Sequence, residues 1–452
     1  MDLKNKRVLV VGLGKSGMSA ALFLRDRGAR VTVSDTRSAA ALAKEIPALM
    51  DAGIMVESGG HGLLTFRRQD LIVVSPGVPL ETPEVTQAQA LGLLVIGELE
   101  LASRFLVGEV VAVTGSNGKT TTTTLLGKIF ADAGLPTLVG GNIGLPVIEL
   151  VAECQAETWN VLEVSSFQLE TVVEFRPHVA LVLNITPDHL DRHKTFARYV
   201  AAKAKITEQQ GPEDFLVLNA EDKECQMIAA KTRAQIFWFS NVRRIKQGTF
   251  VHGESIFFLA KEGGTSEPVM PVSEIQLAGA HNVENVLAAV CAAKLAGVKS
   301  ESIRASVAAF RAVEHRLELV RTLGGVAYYN DSKATNVDAT LKAVASFPQG
   351  VHLILGGKDK DSDYTLLAPL LRERVQVVYT IGSAAEKIEH QLVGVVKIER
   401  VETLERAVRT AAAAAHAGDV VLLAPACSSF DQFQNYEQRG RVFRELVQAL
   451  KG

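Results

Sequence analysis

Cysteine is scarce in this chain. Four occur in 452 residues, at Cys154, Cys225, Cys291 and Cys427, with no C-x-x-C spacing. No disulfide framework is expected, and reduced thiols suit a cytosolic protein. An excess of one charge sign is also lacking. The formal net charge is −2 and no basic block stands out, so nucleic acid is not an expected partner. No apolar run is long enough to span a bilayer, and the opening MDLKNKRVLVVGLG has no apolar signal segment. A cytoplasmic protein without membrane insertion is therefore expected. No short-period repeat appears, which excludes a solenoid. What remains is 47% hydrophobic and 22% charged, enough for two to four globular domains with proper cores.

Strand-then-helix alternation predicts an α/β fold of parallel sheets covered by helices. Three blocks emerge. Residues 1–97 carry candidate strands at 7–11, 29–34 and 71–75. Residues 98–312 carry strands at 110–113, 159–164, 179–184 and 215–219, then a small antiparallel patch over roughly 236–277 and helices at 282–295 and 300–310. Residues 313–452 carry strands at 326–330, 352–355, 375–380 and 420–423, with a nearly all-alanine helix at 407–415.

The stretch VVAVTGSNGKTTTTT, residues 110–124, carries the most chemistry. An apolar strand breaks at Gly115, Asn117 and Gly118, and Lys119 with a row of threonines opens a helix. Backbone N–H groups of such a turn, with the partial positive charge of the helix start, can hold a nucleotide's phosphates. Lys119 would neutralise the outer phosphates and the Thr120 hydroxyl would reach Mg²⁺, with Thr121 beside it. The common P-loop spacing asks for a glycine five residues before Gly118, where this chain has Val113, so the match is partial.

A second glycine pattern, Gly12-Leu13-Gly14-Lys15-Ser16-Gly17, follows the first strand, and Asp35 ends the next. Taken alone it suggests a dinucleotide site and an NAD-dependent oxidoreductase. It requires only that backbone amides approach a phosphate-bearing ligand, and a UDP-linked substrate satisfies it as well. Ser16, Thr36, Arg37 and Ser75 add donors at the same sheet edge. The separate triphosphate site in the second block favours the UDP reading over the redox one.

Polar groups recur at other strand ends. Glu163, followed by Ser165 and Gln168, stands where P-loop folds hold Mg²⁺. His189, between Asp188 and Asp191, is a candidate ligand for a second metal. Asn142 sits in a further polar turn. Lys203, judged by spacing alone, is a solvated helix lysine. In the third block the runs 328–336, 355–360 and 425–433 converge on the carboxyl edge of a sheet, where open α/β folds bind ligands.

The runs TGSNGKTTTT, EVSSFQLE, NITPDHLDRH, GAHNVENVLAA, EHRLE, NDSKATN and SSFDQF, in order across all three blocks, resemble the Mur ligase family of peptidoglycan synthesis. The resemblance implies three domains: Rossmann-like, P-loop-type ATP-binding, and Rossmann-like. It also implies an ATP-dependent amide ligase that phosphorylates a carboxylate and lets an amine attack the acyl phosphate. Within the family, GLGKSG with Asp35-Thr36-Arg37, NDSKATNVDAT and the absence of a DNPR motif point to addition of D-glutamate to UDP-N-acetylmuramoyl-L-alanine by a monomer.

By motif, the resemblance gives Lys119 and Thr120 to the phosphates and Mg²⁺, and Glu163 and His189 to metal, with two Mg²⁺ ions in all. Asn142 and Gln168 fall to the muramoyl substrate. Asn282 and Asn285 fall to the adenine side, Arg316 to phosphate, and Asp331 and Lys333 to the nucleotide. Lys203 matches a lysine the family carbamylates, against the reading from spacing. Thr335, Lys360, Ser429 and Tyr436 match the D-glutamate positions, with Lys358 competing for the role of Lys360. A hinge near Val313 is expected, with open and closed forms. A nucleotide-hydrolysing P-loop module without ligation is the remaining alternative class.

Overall fold

The protein is described by a computed structural model over residues 1–277, 279–311 and 314–451. Val313, where the hinge is expected, lies outside the described residues. Short apolar runs form the inner strands, and the helices between them cover both faces.

The first sheet has strands β1 (Arg7–Val11), β2 (Arg30–Asp35), β3 (Met55–Ser58), β4 (Leu71–Val74) and β5 (Val95–Gly97). Their order is β3-β2-β1-β4-β5, all parallel. The order reverses beside β1, so the β1 turn opens at the crevice where doubly wound folds take ligands.

The central sheet has nine strands: β6 (Glu109–Thr114), β7 (Thr137–Gly141), β8 (Trp159–Glu163), β9 (Val179–Val182), β10 (Phe215–Asn219), β11 (Gln235–Ser240), β12 (Gly248–His252), β13 (Ser255–Leu259) and β14 (Glu267–Pro271). The order is β14-β13-β12-β11-β10-β9-β6-β8-β7. The small antiparallel patch expected over roughly 236–277 is present as β12-β13-β14, paired antiparallel in turn, while β11, at its start, runs parallel to both β10 and β12. The hairpin residues extend the central sheet because their apolar face packs with Val286–Ala293 of the helix Ala280–Leu295.

The third sheet has β15 (Glu318–Leu323), β16 (Val326–Asn330), β17 (Val351–Gly356), β18 (Val375–Ile381), β19 (Lys397–Glu402) and β20 (Val420–Leu423). Its order is β15-β16-β20-β17-β18-β19, parallel except for β15 against β16.

How the sheets are joined matters for function. One apolar cluster runs from Val8, Val10 and Val33 through Leu99, Leu101 and Ala102 to Val147, Leu162 and Val182, so the first and central sheets share a core. The clusters of the third sheet contain only residues from 317 onward. It meets the central sheet through polar contacts: Asn117 Nδ2 to Asp338 at 2.5 Å, Lys333 Nζ to Thr120 Oγ1 at 2.5 Å, and Lys360 Nζ to Asp188 at 2.7 Å. A polar interface of this kind separates more readily than a shared core. Among the described residues no helix is long and apolar enough to cross a membrane.

Candidate active site

The glycine-rich loop after β6, the candidate phosphate loop, is built by backbone constraint. Gly115 (φ +151°) and Gly118 (φ +85°) adopt conformations that L side chains rarely take, and a Cβ on Gly118 would lie 2.1 Å from Asn285 Oδ1. The loop is strapped to the turn after β9. Asn184 Oδ1 accepts the Asn117 N–H at 2.8 Å, its Nδ2 donates to the Asn117 carbonyl at 3.2 Å, and the Ser116 hydroxyl donates to the Thr186 carbonyl at 2.8 Å. Lys119 Nζ curls back to the carbonyls of Gly115 (2.8 Å) and Ser116 (2.9 Å).

Below the loop, buried Glu163 accepts the Thr120 hydroxyl at 2.7 Å and the Asn142 amide at 2.8 Å. Burial pushes its carboxyl up, but the Lys333 and Lys119 charges prevail and hold it below the usual range. An anionic carboxylate beside a hydroxyl is a hard oxygen pair of the kind that shares Mg²⁺ with substrate phosphates. Among the described residues no three His, Cys, Asp or Glu side chains cluster, so ligands from a phosphate-bearing substrate suit the site better than an all-protein cage.

Two cavities open on either side of this loop. The smaller is lined by Asn117, Gly118, Thr121, His281, Asn282, Asn285, Arg316, Asp331 and Lys333. Arg316 Nε is buried there with no hydrogen-bond partner among the described residues, a donor free for an anion. Burial, aided by the Arg316 and Lys119 charges, lowers Lys333 to about 7. Burial raises Asp331 to about 7.

The larger cavity, about 600 Å³, gathers Lys119, Asn142, Ser165, His189 and Lys203 from the central block and Thr335, Lys358, Lys360, Ser429 and Tyr436 from the third. His189 holds a left-handed backbone (φ +53°) at the start of the helix Leu190–His193. Burial, with the Lys360, Lys119 and Lys203 charges, overcomes Asp188 and pushes its imidazole down to about 3. The ring is neutral at pH 7, the form that binds metal.

Lys203 departs from the spacing-based reading. It is 1% exposed, and its Nζ donates to the Gly115 carbonyl at 2.8 Å and faces the Tyr199 ring at 4.8 Å. Burial, then the Lys119 charge, pushes its amine well below the ordinary lysine value. One face of an amphipathic helix turns it inward, a fact that a single lysine in a mixed helix does not advertise.

The N-terminal residues divide. Asp35 Oδ2 accepts the Leu13 N–H at 2.7 Å and Arg37 Nη2 at 2.9 Å, and its Oδ1 accepts Arg37 N–H and Nε. Ser75 donates to the Gly12 carbonyl at 2.7 Å. These side chains shape the turn. Ser16, Thr36 and Arg37 lie at the partly open edge and line neither cavity. Gln168 takes part in a capping box with Ser165 and lines a small cleft with Ser75 instead. Lys360 is engaged by Asp188, which also accepts Asn336 Nδ2 at 2.9 Å. Lys358 lines the cavity with an ammonium that has no partner among the described residues. The Asp188–Lys360 pair spans 172 positions, which no local pattern reveals.

A glycine-rich strand–turn–helix loop set between two cavities lined by charged side chains suits a nucleotide-dependent enzyme, and the comparisons narrow the class. Family profiles match in chain order: the Mur ligase MurD-like N-terminal domain over residues 6–97, the Mur ligase middle domain over 113–293, and the Mur ligase glutamate ligase domain over 315–427. The chain belongs to the Mur ligase family. Within it, the UDP-N-acetylmuramoylalanine–D-glutamate ligase of Acidobacterium capsulatum is 64% identical, covering 100% of this chain and 98% of that one. The ligase of the same name from Koribacter versatilis is 58% identical over 100% and 99%. Among solved structures, a pseudomurein peptide ligase type C from Methanothermus fervidus has a TM-score of 0.61 at 21% identity, covering 99% of this chain and 100% of that one. The UDP-N-acetylmuramate-alanine ligase of Thermotoga maritima has 0.60 at 19% identity, with the same coverage. These two establish the shared three-part fold.

Proposed function

We propose that the chain is an ATP-dependent ligase that joins the amine of D-glutamate to the alanyl carboxylate of UDP-N-acetylmuramoyl-L-alanine, in peptidoglycan synthesis. The observation that carries this reading is the single phosphate loop between a cavity lined for a nucleotide and a cavity lined for carboxylates. The names borne by the 64% and 58% identical relatives agree with it.

The division of labour follows from the two cavities. Gly115, Asn117, Gly118, Lys119, Thr120 and Thr121 take the ATP phosphates, Asn282 and Asn285 the adenine side, and Arg316, Asp331 and Lys333 close the nucleotide from the third block. Ser16, Asp35, Thr36, Arg37 and Ser75 form the UDP end, and Asn142, Ser165 and Gln168 the muramoyl end. Thr335, Lys360, Ser429 and Tyr436 hold D-glutamate, with Lys358 as a second cation at the same cavity. The lobes are 1–97, 98–312 and 313–452, and the polar seam along the third lets it swing while the first two move together.

A carboxylate is a poor electrophile. One of its oxygens attacks the γ-phosphorus of ATP, ADP leaves, and the acyl phosphate offers a good leaving group. The free amine then attacks the acyl carbon, a tetrahedral intermediate forms, and phosphate departs with the former carboxylate oxygen. Lys119 and Lys333 stabilise negative charge as the phosphoryl group moves. Two Mg²⁺ ions, one at Thr120 and Glu163 and one at His189 and Lys203, would supply neutralisation between anions that otherwise repel. Lys203 fits a carbamate: adding CO₂ requires a neutral amine, and its buried position favours that form. The resulting oxygens would serve metal where the ammonium cannot.

In this reading the enzyme acts in the cytoplasm as a monomer, with both cavities supplied by one chain. The test is inorganic phosphate release with ATP, UDP-N-acetylmuramoyl-L-alanine and racemic glutamate, with mass spectrometry of the product. Release only when both acceptor and glutamate are present, with the D-isomer consumed, is expected. Equal turnover with L-alanine or a folate acceptor would move the chain to a sibling ligase, and hydrolysis independent of any amino acid would overturn ligation.

A further inference from the structure

Arg439 is the largest fully buried side chain of the protein, 0% exposed among the described residues, and no carboxylate there forms a close ion pair with it, the Asp431 charge acting only from beyond that range. It sits in the first turn of the helix Tyr436–Gln448. Its Nε donates to Ser332 Oγ at 3.0 Å, its Nη2 to the carbonyls of Ser332 (2.8 Å) and Cys427 (3.1 Å), and its Nη1 to that of Ser428 at 3.4 Å. Ser332 Oγ in turn donates to the Tyr436 carbonyl at 2.8 Å. A Cβ placed on Gly357 would lie 3.1 Å from Nη1, so the guanidinium also abuts the turn after β17.

Burying a cation without an anion costs several kcal/mol. A neutral side chain of similar volume would fill the space without that cost. What guanidinium alone supplies is a rigid planar fork of five donors, here spread over carbonyls and a hydroxyl from separate loops. Those loops have one thing in common. Ser332 is three residues from Thr335, Gly357 three from Lys360, Ser428 adjoins Ser429, and Arg439 is one helical turn from Tyr436. All four neighbours line the larger cavity, and Arg439 does not.

We propose that Arg439 is the positioning residue of the amino-acid site, fixing the mutual distances of Thr335, Lys360, Ser429 and Tyr436 without touching substrate. This rests on the ligase reading above. A dicarboxylate bound by several donors is sensitive to their spacing, and displacement by about 1 Å is costly to a pre-organised site. The UDP substrate binds on loops of the other two sheets, so its affinity should be insulated, whereas Ser332 also adjoins Asp331 and Lys333 on the nucleotide side, so the ATP KM should move less than that of D-glutamate without being untouched.

The experiment compares wild type with Arg439→Lys, which keeps the charge and loses the fork, with Arg439→Ala, and with Ser332→Ala, which removes one acceptor should the arginine variants not fold. KM is measured separately for D-glutamate, ATP and the UDP substrate, with and without millimolar guanidinium or methylguanidinium. The expected result is a rise in the D-glutamate KM of about tenfold or more in Arg439→Lys, a smaller rise in Ser332→Ala, a smaller rise in the ATP KM, and a KM for the UDP substrate within about twofold. Added guanidinium should recover part of the loss in Arg439→Ala. An equal shift in the UDP-substrate KM, or an unchanged D-glutamate KM in the folded variants, would overturn the positioning role. Wild type that releases no phosphate with D-glutamate would overturn the ligase reading, and this inference with it.

Discussion

Two glycine-rich turns, one after β1 and one after β6, share a strand–turn–helix design and differ in what their polar groups face. In the first, Gly17 is demanded by packing: a Cβ there would lie 2.0 Å from the Gly12 carbonyl and 2.7 Å from Ser75 Oγ. Asp35, the acid that would grip a ribose in a dinucleotide fold, spends both oxygens on Leu13 and Arg37. In the second, Gly118 is demanded by backbone twist and by Asn285, Lys119 and Lys333 around it line open cavities, and Glu163 lies buried beneath. The first turn spends its polar side chains on itself. The second concentrates charge beside open cavities, as the proposed chemistry requires. A glycine pattern thus reports backbone approach, and the buried charges beside it report chemistry.

The difference can be broken by mutation. The largest effect is expected at Lys119→Ala, which should lower kcat by at least about 10³-fold while the melting temperature stays near wild type, because it removes charge stabilisation of the moving phosphoryl group. Near-normal turnover would remove the second turn from the chemistry. Lys203→Ala should lose about 10²-fold or more and be partly rescued by short carboxylic acids, which supply the missing oxygens. Steady-state rates across a series of such acids check this, and the absence of rescue would count against a carbamate.

Exchanging the glycine test between turns sharpens the contrast. Gly118→Ala should raise the ATP KM by about tenfold, since its Cβ must displace Asn285. Gly17→Ala should instead destabilise by about 1–3 kcal/mol, read by chemical denaturation, and leave the ATP KM alone. The smallest effect belongs to Asp35. The Arg37 and Leu13 hydrogen bonds outweigh the upward push of burial and hold its carboxyl at about 2, below the ordinary aspartate value. A lowered acid stabilises the fold above its unfolded value, and that contribution is lost as pH falls through about 2. Denaturation curves between pH 5 and 2 should therefore lose stability more steeply in wild type than in Asp35→Asn, by less than about 1.4 kcal/mol per pH unit.

The inner strands were legible because parallel strands buried on both faces read as unbroken apolar runs: Leu71–Val74 and Val420–Leu423 are of that kind. Strands at or near the sheet edges were not. Met55–Ser58, Thr137–Gly141, Glu318–Leu323 and Lys397–Glu402 are mostly exposed and half-buried, with at most one buried residue each, and resemble loops. The order of motifs along the chain anticipated the three-part fold. The environment of Lys203 could not be read locally, because its burial comes from the phosphate loop packed over it. The same holds for Asp188, whose partners Asn336 and Lys360 arrive from another sheet, and for Arg439, whose acceptors are backbone carbonyls with no side-chain signature.

The central claim is that the cavity on the far side of the phosphate loop activates a carboxylate at the expense of ATP. The most direct measurement uses UDP-N-acetylmuramoyl-L-alanine labelled with ¹⁸O in its terminal carboxylate, turned over with ATP and D-glutamate. Mass spectrometry or ³¹P NMR of the released phosphate should find one ¹⁸O atom from each fully labelled substrate, because the oxygen that attacked phosphorus leaves with it. Phosphate free of ¹⁸O while amide product accumulates would contradict the account.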